Sequence, residues 1–425
     1  MRNNSFIIKG DICYSTDINN LIACENHFLV SIEGESKGVY KEIPKEYSHL
    51  RVIDYSGNLV IPGLVDLHIH APQYAFRGLG MDKELLDWLE KYTFPEESKY
   101  SDLDYARKAY GIFADALKKS ATTSACIFST LHIPATELLM DMIDETGLRA
   151  YVGKVNMDRN SPEYLTEESP EKAAKATEKW VLKSKNRYIK VYPILTPRFI
   201  PTCSDELMVY IKEIQKSYGL PLQSHLSEAY GEIEWVKELC PEAEFYGDAY
   251  DRFGLFGREV RTVMAHCVSS SYEELMRIKK NGVYIAHCPQ SNTNLASGIA
   301  PVRTFLQEGL KVGLGSDVAG GTTESIFTAM ADAIHTSKLR WALIDKKQQP
   351  LTTQEVFYMA TKGGGDFFGR VGSFESGYEL DVVVIDDSAL RHPQPLEPRE
   401  RLERLIYLSD RCTIIHKFIS GKQIF

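Results

Sequence analysis

The sequence predicts an α/β fold, a (β/α)8 TIM-like barrel joined to a small β-sandwich that the N- and C-terminal segments build together. Three observations lead there. Eight short apolar runs alternate with helical stretches between Leu59 and Asp317, the pattern of parallel strands covered by helices outside and packed side chains inside. Several of those runs end in histidine or aspartate, whereas no Gly-rich phosphate turn follows the first, which disfavours the doubly wound open sheet. Outside the span, short strands with polar turns occur at both ends, too few at either end for a core of its own.

The strands are expected at Ile61 to Leu67, Ala121 to Ser129, Ala150 to Asn156, Tyr188 to Leu195, Leu222 to His225, Thr262 to His266, Val283 to His287 and Val312 to Ser316. Between them, Leu103 to Lys118, Pro170 to Lys183, Asp205 to Tyr218, Ile233 to Cys240, Ser271 to Asn281 and Pro301 to Gly309 carry Glu, Lys, Ala and Leu at helical spacing. The N-terminal strands fall at Phe6 to Lys9, Phe28 to Glu33 and Leu50 to Tyr55; the C-terminal ones fall at Val382 to Ile385 and Cys412 to Ile419. A helix from Gln354 to Phe368, broken by glycines, bridges barrel and tail. The expected division is 1–62 and 371–425 for the sandwich and 63–370 for the barrel.

Composition narrows the function. A net charge of -9 with no basic tract argues against a nucleic-acid partner and favours a small molecule. No run of 18 apolar residues exists, and the start MRNNSFIIKGDICYS lacks a signal peptide's apolar core. A cytoplasmic protein without a membrane anchor is expected. The eight cysteines include no C-x-x-C pair and read as reduced, buried thiols. Cys267 and Cys288, each directly after a histidine, are read as filling space beside a site.

The strand ends carry the chemistry. His68 and His70 are two residues apart, and a strand alternates its side chains with period two, so both imidazoles converge on one point. Further strands end at His225 with Glu228 beyond it, at His266, at His287 and at Asp317. In such a barrel these carboxyl ends hold the active site. Imidazole and carboxylate without an obvious thiolate suit zinc or a related first-row ion, with iron as the other candidate.

PGLVDLHIH at 62–70, SHLSE at 224–228, MAHC at 264–267, IAHCPQSN at 285–292 and GSDVAGG at 315–321 resemble the successive motifs of the amidohydrolase superfamily, in its branch of metal-dependent aminohydrolases. The resemblance spans nearly the whole chain. HAPQYAFRG at 70–78, LLDWLEKYTFPEE at 85–97, PRFIPTCS at 197–204 and SDVAGG are similar to the members of that branch that act on guanine. The resemblance therefore implies hydrolytic deamination of guanine to xanthine and ammonia by a zinc-activated water, in a homodimer.

It also implies roles. His68, His70, His225 and Asp317 match the positions that bind one zinc ion per chain, and His266 matches the histidine that contacts the metal or its water. The fourth strand ends Ile194-Leu195-Thr196-Pro197-Arg198, without the lysine of two-metal members, and Lys190 comes too early. Asp317 is the expected acceptor of the water's proton, Glu228 the proton shuttle to the ring nitrogen and leaving amine, and His266 a stabiliser of the developing oxyanion. Gln73 and Arg198 match residues that hold the purine base, the amide along its edge and the planar fork at the 6-carbonyl. Phe199 is expected to flank the ring, and Trp88, with Tyr92 and Phe94, to roof the pocket. His287, Pro289, Ser291 and Asn292 are expected to support the site, while His27, His49, His132, His335, His392 and His416 have no claim on it. The rivals on the same fold act on S-adenosylhomocysteine or methylthioadenosine, on cytosine, or on chlorinated triazines. A non-catalytic scaffold would have lost ligands, and none is missing.

Overall fold

The structure, a computed structural model, describes residues 4–425; the first three residues of the segment read as lacking a signal peptide lie outside them. Four strands open the chain: β1 (Phe6–Asp17), β2 (Asn20–Ile32), β3 (Glu35–Tyr40) and β4 (Val52–Pro62). Then follow β5 (Leu64–His70), β6 (Thr122–Phe128), β7 (Arg149–Gly153), β8 (Val155–Asn156) and β9 (Val191–Pro193). The next are β10 (Thr196–Pro197), β11 (Leu222–Leu226), β12 (Thr262–His266), β13 (Tyr284–His287) and β14 (Lys311–Leu314), before the closing strands β15 (Val382–Asp386), β16 (Thr413–Ile419) and β17 (Lys422–Gln423).

Both chain ends share one seven-stranded sheet in the order β17-β16-β15-β4-β1-β2-β3. Its centre pairs strands from opposite ends of the chain, with Val382 opposite Pro62 and Ile385 opposite Leu59. Neither end holds such a sheet alone, which is why the sequence placed its pieces so far apart. The sheet curls strongly. Phe6 on β1 and Phe418 on β16 stand three strand steps apart, yet their ring centroids are 5.6 Å apart, much closer than steps of about 4.8 Å allow in a flat sheet. Phe6, Ile8, Ile12, Val60, Val382 and Val384 form the apolar cluster enclosed by the curl.

The middle of the chain forms two four-stranded parallel sheets, β5-β6-β7-β9 and β11-β12-β13-β14, with β8 and β10 as a short extra pair. Backbone hydrogen bonds join the two sheets at both edges. On one side Leu195 N–H donates to Pro221 O and Gln223 N–H to Leu195 O, each at 2.9 Å; on the other, Asp317 N–H donates to His68 O at 2.8 Å and His70 N–H to Val318 O at 3.1 Å. Every residue of β5 and β6 is buried, as strands covered on both faces require. Helices cross outside, among them Leu103–Lys119, Pro170–Ser184 and Asp205–Tyr218, close to their expected bounds. The helices Ile133–Thr146 and Ile326–Leu343 were not among those expected. Polar caps start several of these helices: Asp102, Ser169, Ser204, Ser271 and Ser325 each accept from a backbone N–H of the first turn.

Several boundaries differ from expectation: the run Ala150 to Asn156 is split into β7 and β8, the strand expected at Tyr188 to Leu195 is only β9, and the helix expected from Gln354 to Phe368 is regular only over Thr353–Tyr358. The run Ile61 to Leu67 is not one strand but the end of β4 and the start of β5, separated at Gly63. A Cβ there would stand 2.0 Å from Thr123 Oγ1, so the chain passes from one sheet to the other where only glycine fits. His68 and His70 consequently lie inside β5. The curled sheet is fastened to the parallel sheets by Arg149, on β7, which pairs with Asp381 and Glu379. Lys417 on β16 is also buried and donates to the carbonyls of Leu117, Ser120 and Thr122.

Candidate active site

His68 and His70, two residues apart on β5, meet at their Nε2 atoms, 3.1 Å apart. His225 from β11 brings its Nε2 to 3.3 Å from that of His70. Asp317, just past β14, places Oδ1 3.0 Å from His68 Nε2 and 3.4 Å from His70 Nε2. His266, at the end of β12, has Nε2 3.8 Å from Asp317 Oδ2 and 3.3 Å from Glu228 Oε2. The structure thus brings together all five side chains expected to bind metal. His266 and Asp317 both have positive φ, 76° and 46°. Such strain in non-glycine residues is held only where surrounding structure fixes it, typically at a functional site.

The donor set fits a divalent first-row cation. Nitrogen and oxygen atoms 3.0–3.4 Å apart have the spacing of atoms sharing one ion at bond lengths of about 2.0–2.2 Å. Two histidines also have their other nitrogen fixed. His225 Nδ1–H donates to the carbonyl oxygen of Arg198 at 2.6 Å, and His266 Nδ1–H to Asn292 Oδ1 at 2.9 Å. Each bond commits the hydrogen to Nδ1 and leaves the Nε2 lone pair facing the centre. His266 Nε2 is a buried atom without a hydrogen-bond partner, the mark of a group made for a ligand.

Electrostatics separate the two carboxyl groups. Burial pushes Glu228 well above the usual carboxylate range, and the nearby charges of Asp317 and Glu232 push the same way. For Asp317 burial also acts upward, but the His68 and His70 rings outweigh it and hold the group well below its ordinary value. The two carboxyl groups are thereby shifted in opposite directions, a division that suits acid/base work. Burial lowers His68, and it lowers His70 to about 4, the direction that favours the neutral form a metal ligand needs.

A cavity opens onto this cluster, lined among others by Gln73, Trp88, Arg198, Phe199, Glu228 and His266. Phe199 forms a wall, its ring set edgewise to Trp235. Trp88 lines it too, held by a hydrogen bond from Nε1 to Leu79 O and by contact with Phe76. Tyr92 and Phe94 do not line the cavity; Phe94 lies instead against the Arg198 guanidinium, 5.1 Å from ring centroid to Cζ. Cys267 and Cys288 are buried, and burial raises both thiols well above their ordinary value, which fits space-filling. Of the expected supports, Asn292 holds His266, whereas neither ring nitrogen of buried His287 has a hydrogen-bond partner.

Three polar residues escaped the sequence reading. Glu97, 2% exposed, accepts from both Gln73 and Arg198. Glu232 lines the cavity and accepts from the Glu228 backbone N–H at 3.1 Å. Asp66 accepts from Ser316 Oγ at 2.5 Å and from the N–H groups of Ser316 and His68, both at 3.1 Å. Its signal was present in the sequence, since Asp66, His68 and His70 continue one period-two face.

Joined parallel sheets with a histidine and aspartate cluster at their carboxyl ends define a metal-dependent hydrolase of the amidohydrolase type. The chain belongs to the amidohydrolase family, whose profile matches residues 59–424. Within it, the chain is similar over its length to guanine deaminases. That of Homo sapiens is 40% identical, the alignment covering 98% of this chain and 96% of the relative; that of Dictyostelium discoideum is 37% identical over 98% of both. The crystal structure of guanine deaminase from C. acetobutylicum with bound guanine in the active site superposes with a TM-score of 0.96 at 48% identity, covering 99% of this chain and 100% of that one.

Proposed function

We propose that the chain hydrolytically deaminates guanine, turning guanine and water into xanthine and ammonia. The observation that carries this reading is one cavity with two kinds of lining. His70, His225, His266 and Asp317 of the cluster line it with Glu228, and so do the planar amide of Gln73 and the planar fork of Arg198. Full-length similarity to guanine deaminases, one of them with guanine bound, supports the substrate.

His68, His70, His225 and Asp317 would hold the metal, one zinc ion per chain with iron as the alternative, and His266 has a free Nε2 for it as well. A bound zinc ion lowers the pKa of water in the site towards about 7, which supplies a nucleophile at neutral pH. Asp317, ionised and beside the histidines, accepts the proton that the attacking water gives up. Glu228, carrying a proton, delivers it to the ring nitrogen next to the carbon under attack, so that charge does not accumulate on the ring. The carboxylate then relays the proton received by Asp317 to the amino group, which leaves as ammonia while the ring carbon keeps the oxygen. The proton remaining on that oxygen passes to Glu228 and restores its protonated form. If His266 Nε2 carries a hydrogen instead of holding the metal, it donates to that oxygen as negative charge develops. Gln73 and Arg198 hold the base by its polar edge, Phe199 and Trp88 flank the ring, and burial of all four excludes bulk water.

The joined parallel sheets are read as one closed (β/α)8 barrel over 63–370. The curled terminal sheet, 1–62 with 371–425, is read as the small β-sandwich. Among the described residues no helix is long and apolar enough to cross a membrane. A cytoplasmic homodimer is the proposed setting. The deciding experiment assays purified protein of measured metal content with guanine and with S-adenosylhomocysteine. Xanthine and ammonia should form from guanine; ammonia from S-adenosylhomocysteine alone overturns the substrate.

A further inference from the structure

We propose that Glu97 is a positioning residue for substrate recognition, fixing Arg198 and Gln73 so that the site favours purines with a 6-carbonyl. The inference rests on the guanine reading above.

Glu97 stands behind the cavity. Gln73 and Arg198 line it, and Glu97 does not. Its carboxylate nevertheless joins the two: Oε1 accepts from Gln73 Nε2 at 3.0 Å and from Arg198 Nη2 at 3.1 Å, while Oε2 accepts from Arg198 Nη1 at 2.5 Å. This paired geometry fixes the plane of the guanidinium as well as its position. Phe94, on the same short helix as Glu97, covers one face of that plane. Gln73 is held from its other end too, since its Oε1 accepts from the Ala319 N–H at 3.2 Å. That bond fixes which way the amide points: Nε2 faces Glu97, and Oε1 faces the backbone beside Asp317.

Three chain segments are tied in this way, the turn after β5, the helix Phe94–Ser98 and the segment after β10. Arg198 alone would be a long side chain with many rotamers and a buried unpaired charge, costly in both respects. Paired with Glu97 it becomes a neutral, preoriented donor array. Such an array suits an uncharged base, whose carbonyl oxygen accepts from the guanidinium edge that Glu97 leaves free.

The test separates positioning from general structural support. Hypoxanthine and unsubstituted purine, which differ at the 6-carbonyl, serve as competitive inhibitors of guanine deamination by the zinc-loaded enzyme. In wild type, hypoxanthine should bind more tightly than purine. In Glu97→Gln that advantage should shrink at least about fivefold, with zinc content unchanged, and Glu97→Asp should restore part of it. Because Glu97→Gln leaves Arg198 buried without its partner, the double variant Glu97→Gln/Arg198→Ala is compared with Arg198→Ala alone. The second change should then add less than about twofold to the loss of hypoxanthine binding. A hypoxanthine-to-purine ratio close to that of wild type in Glu97→Gln, or full additivity in the double variant, overturns the proposal. Failure of wild type to form xanthine from guanine would instead refute the functional reading beneath it.

Discussion

The carbonyl oxygen of Arg198 accepts a hydrogen bond from His225 Nδ1 at 2.6 Å, so one residue orients a proposed metal ligand with its backbone and faces the cavity with its side chain. The two tasks can be separated by mutation. Arg198→Ala keeps the carbonyl and should retain zinc at wild-type stoichiometry. The carbonyl of guanine would then be buried without its donor, at a cost of about 1–3 kcal/mol, so the Michaelis constant should rise roughly 5- to 150-fold. Glu97, left without its cation, places the effect towards the upper end. Steady-state kinetics with metal analysis on the same sample check both parts; loss of zinc would show that the side chain, not the carbonyl, holds His225.

Glu228 is buried, its carboxyl is raised well above the usual range by that burial, and Ser297 Oγ donates to Oε1 at 3.3 Å. Glu228→Gln preserves shape and hydrogen bonding but has no proton to relay. Turnover should fall at least about a hundredfold, the scale of general acid/base catalysis, while the Michaelis constant and zinc content change little. Near-normal turnover in this variant would remove Glu228 from the shuttle.

Much of the site could be read from the sequence because strand ends are local signals. His68 and His70 announce themselves by their spacing, and His225, His266 and Asp317 each close an apolar run. What could not be read depends on contacts across hundreds of residues. Glu97 lies in a run of acids and lysines that resembles a solvated helix face, and only its contact with Arg198, 101 positions on, reveals its burial. The curl of the terminal sheet is hidden for the same reason, because β4 pairs with β15 from the opposite end of the chain. The break at Gly63 was signalled by the Pro62-Gly63 dipeptide, which the reading of Ile61 to Leu67 as one strand passed over.

Asn292 gives a test of the metal centre that leaves the proposed ligands intact. Its Oδ1 accepts from His266 Nδ1 at 2.9 Å and so fixes that ring's tautomer and direction. Such supporting hydrogen bonds affect metal affinity or activity by about 10- to 100-fold, and Asn292→Ala should weaken zinc binding or activity on that scale. Competition with a chromophoric chelator measures the affinity directly. Chelator-stripped wild type should lose activity and regain it with added zinc. An Asn292→Ala enzyme with wild-type affinity and activity would leave His266 outside the metal centre.

The link between the two sheet systems makes stability depend on pH in a defined window. Burial raises the Glu379 carboxyl, but Arg149, Ser420 and Lys190 outweigh it and bring the group to about 2, from an ordinary value of 4.5. A carboxyl whose pKa is depressed by folding takes up its proton more readily in the unfolded chain. Its contribution is therefore complete above the ordinary value and is lost as pH falls towards the folded one. Glu379 is partly exposed, so solvent screening keeps the effect modest. Glu379→Gln should accordingly unfold at lower urea than wild type near neutral pH, with the gap narrowing from about pH 4.5 downward and nearly closed at about pH 2. Urea midpoints for both proteins across that range provide the measurement. A gap that stays constant through the acid range would mean that the Arg149 pairing rests on Asp381 alone.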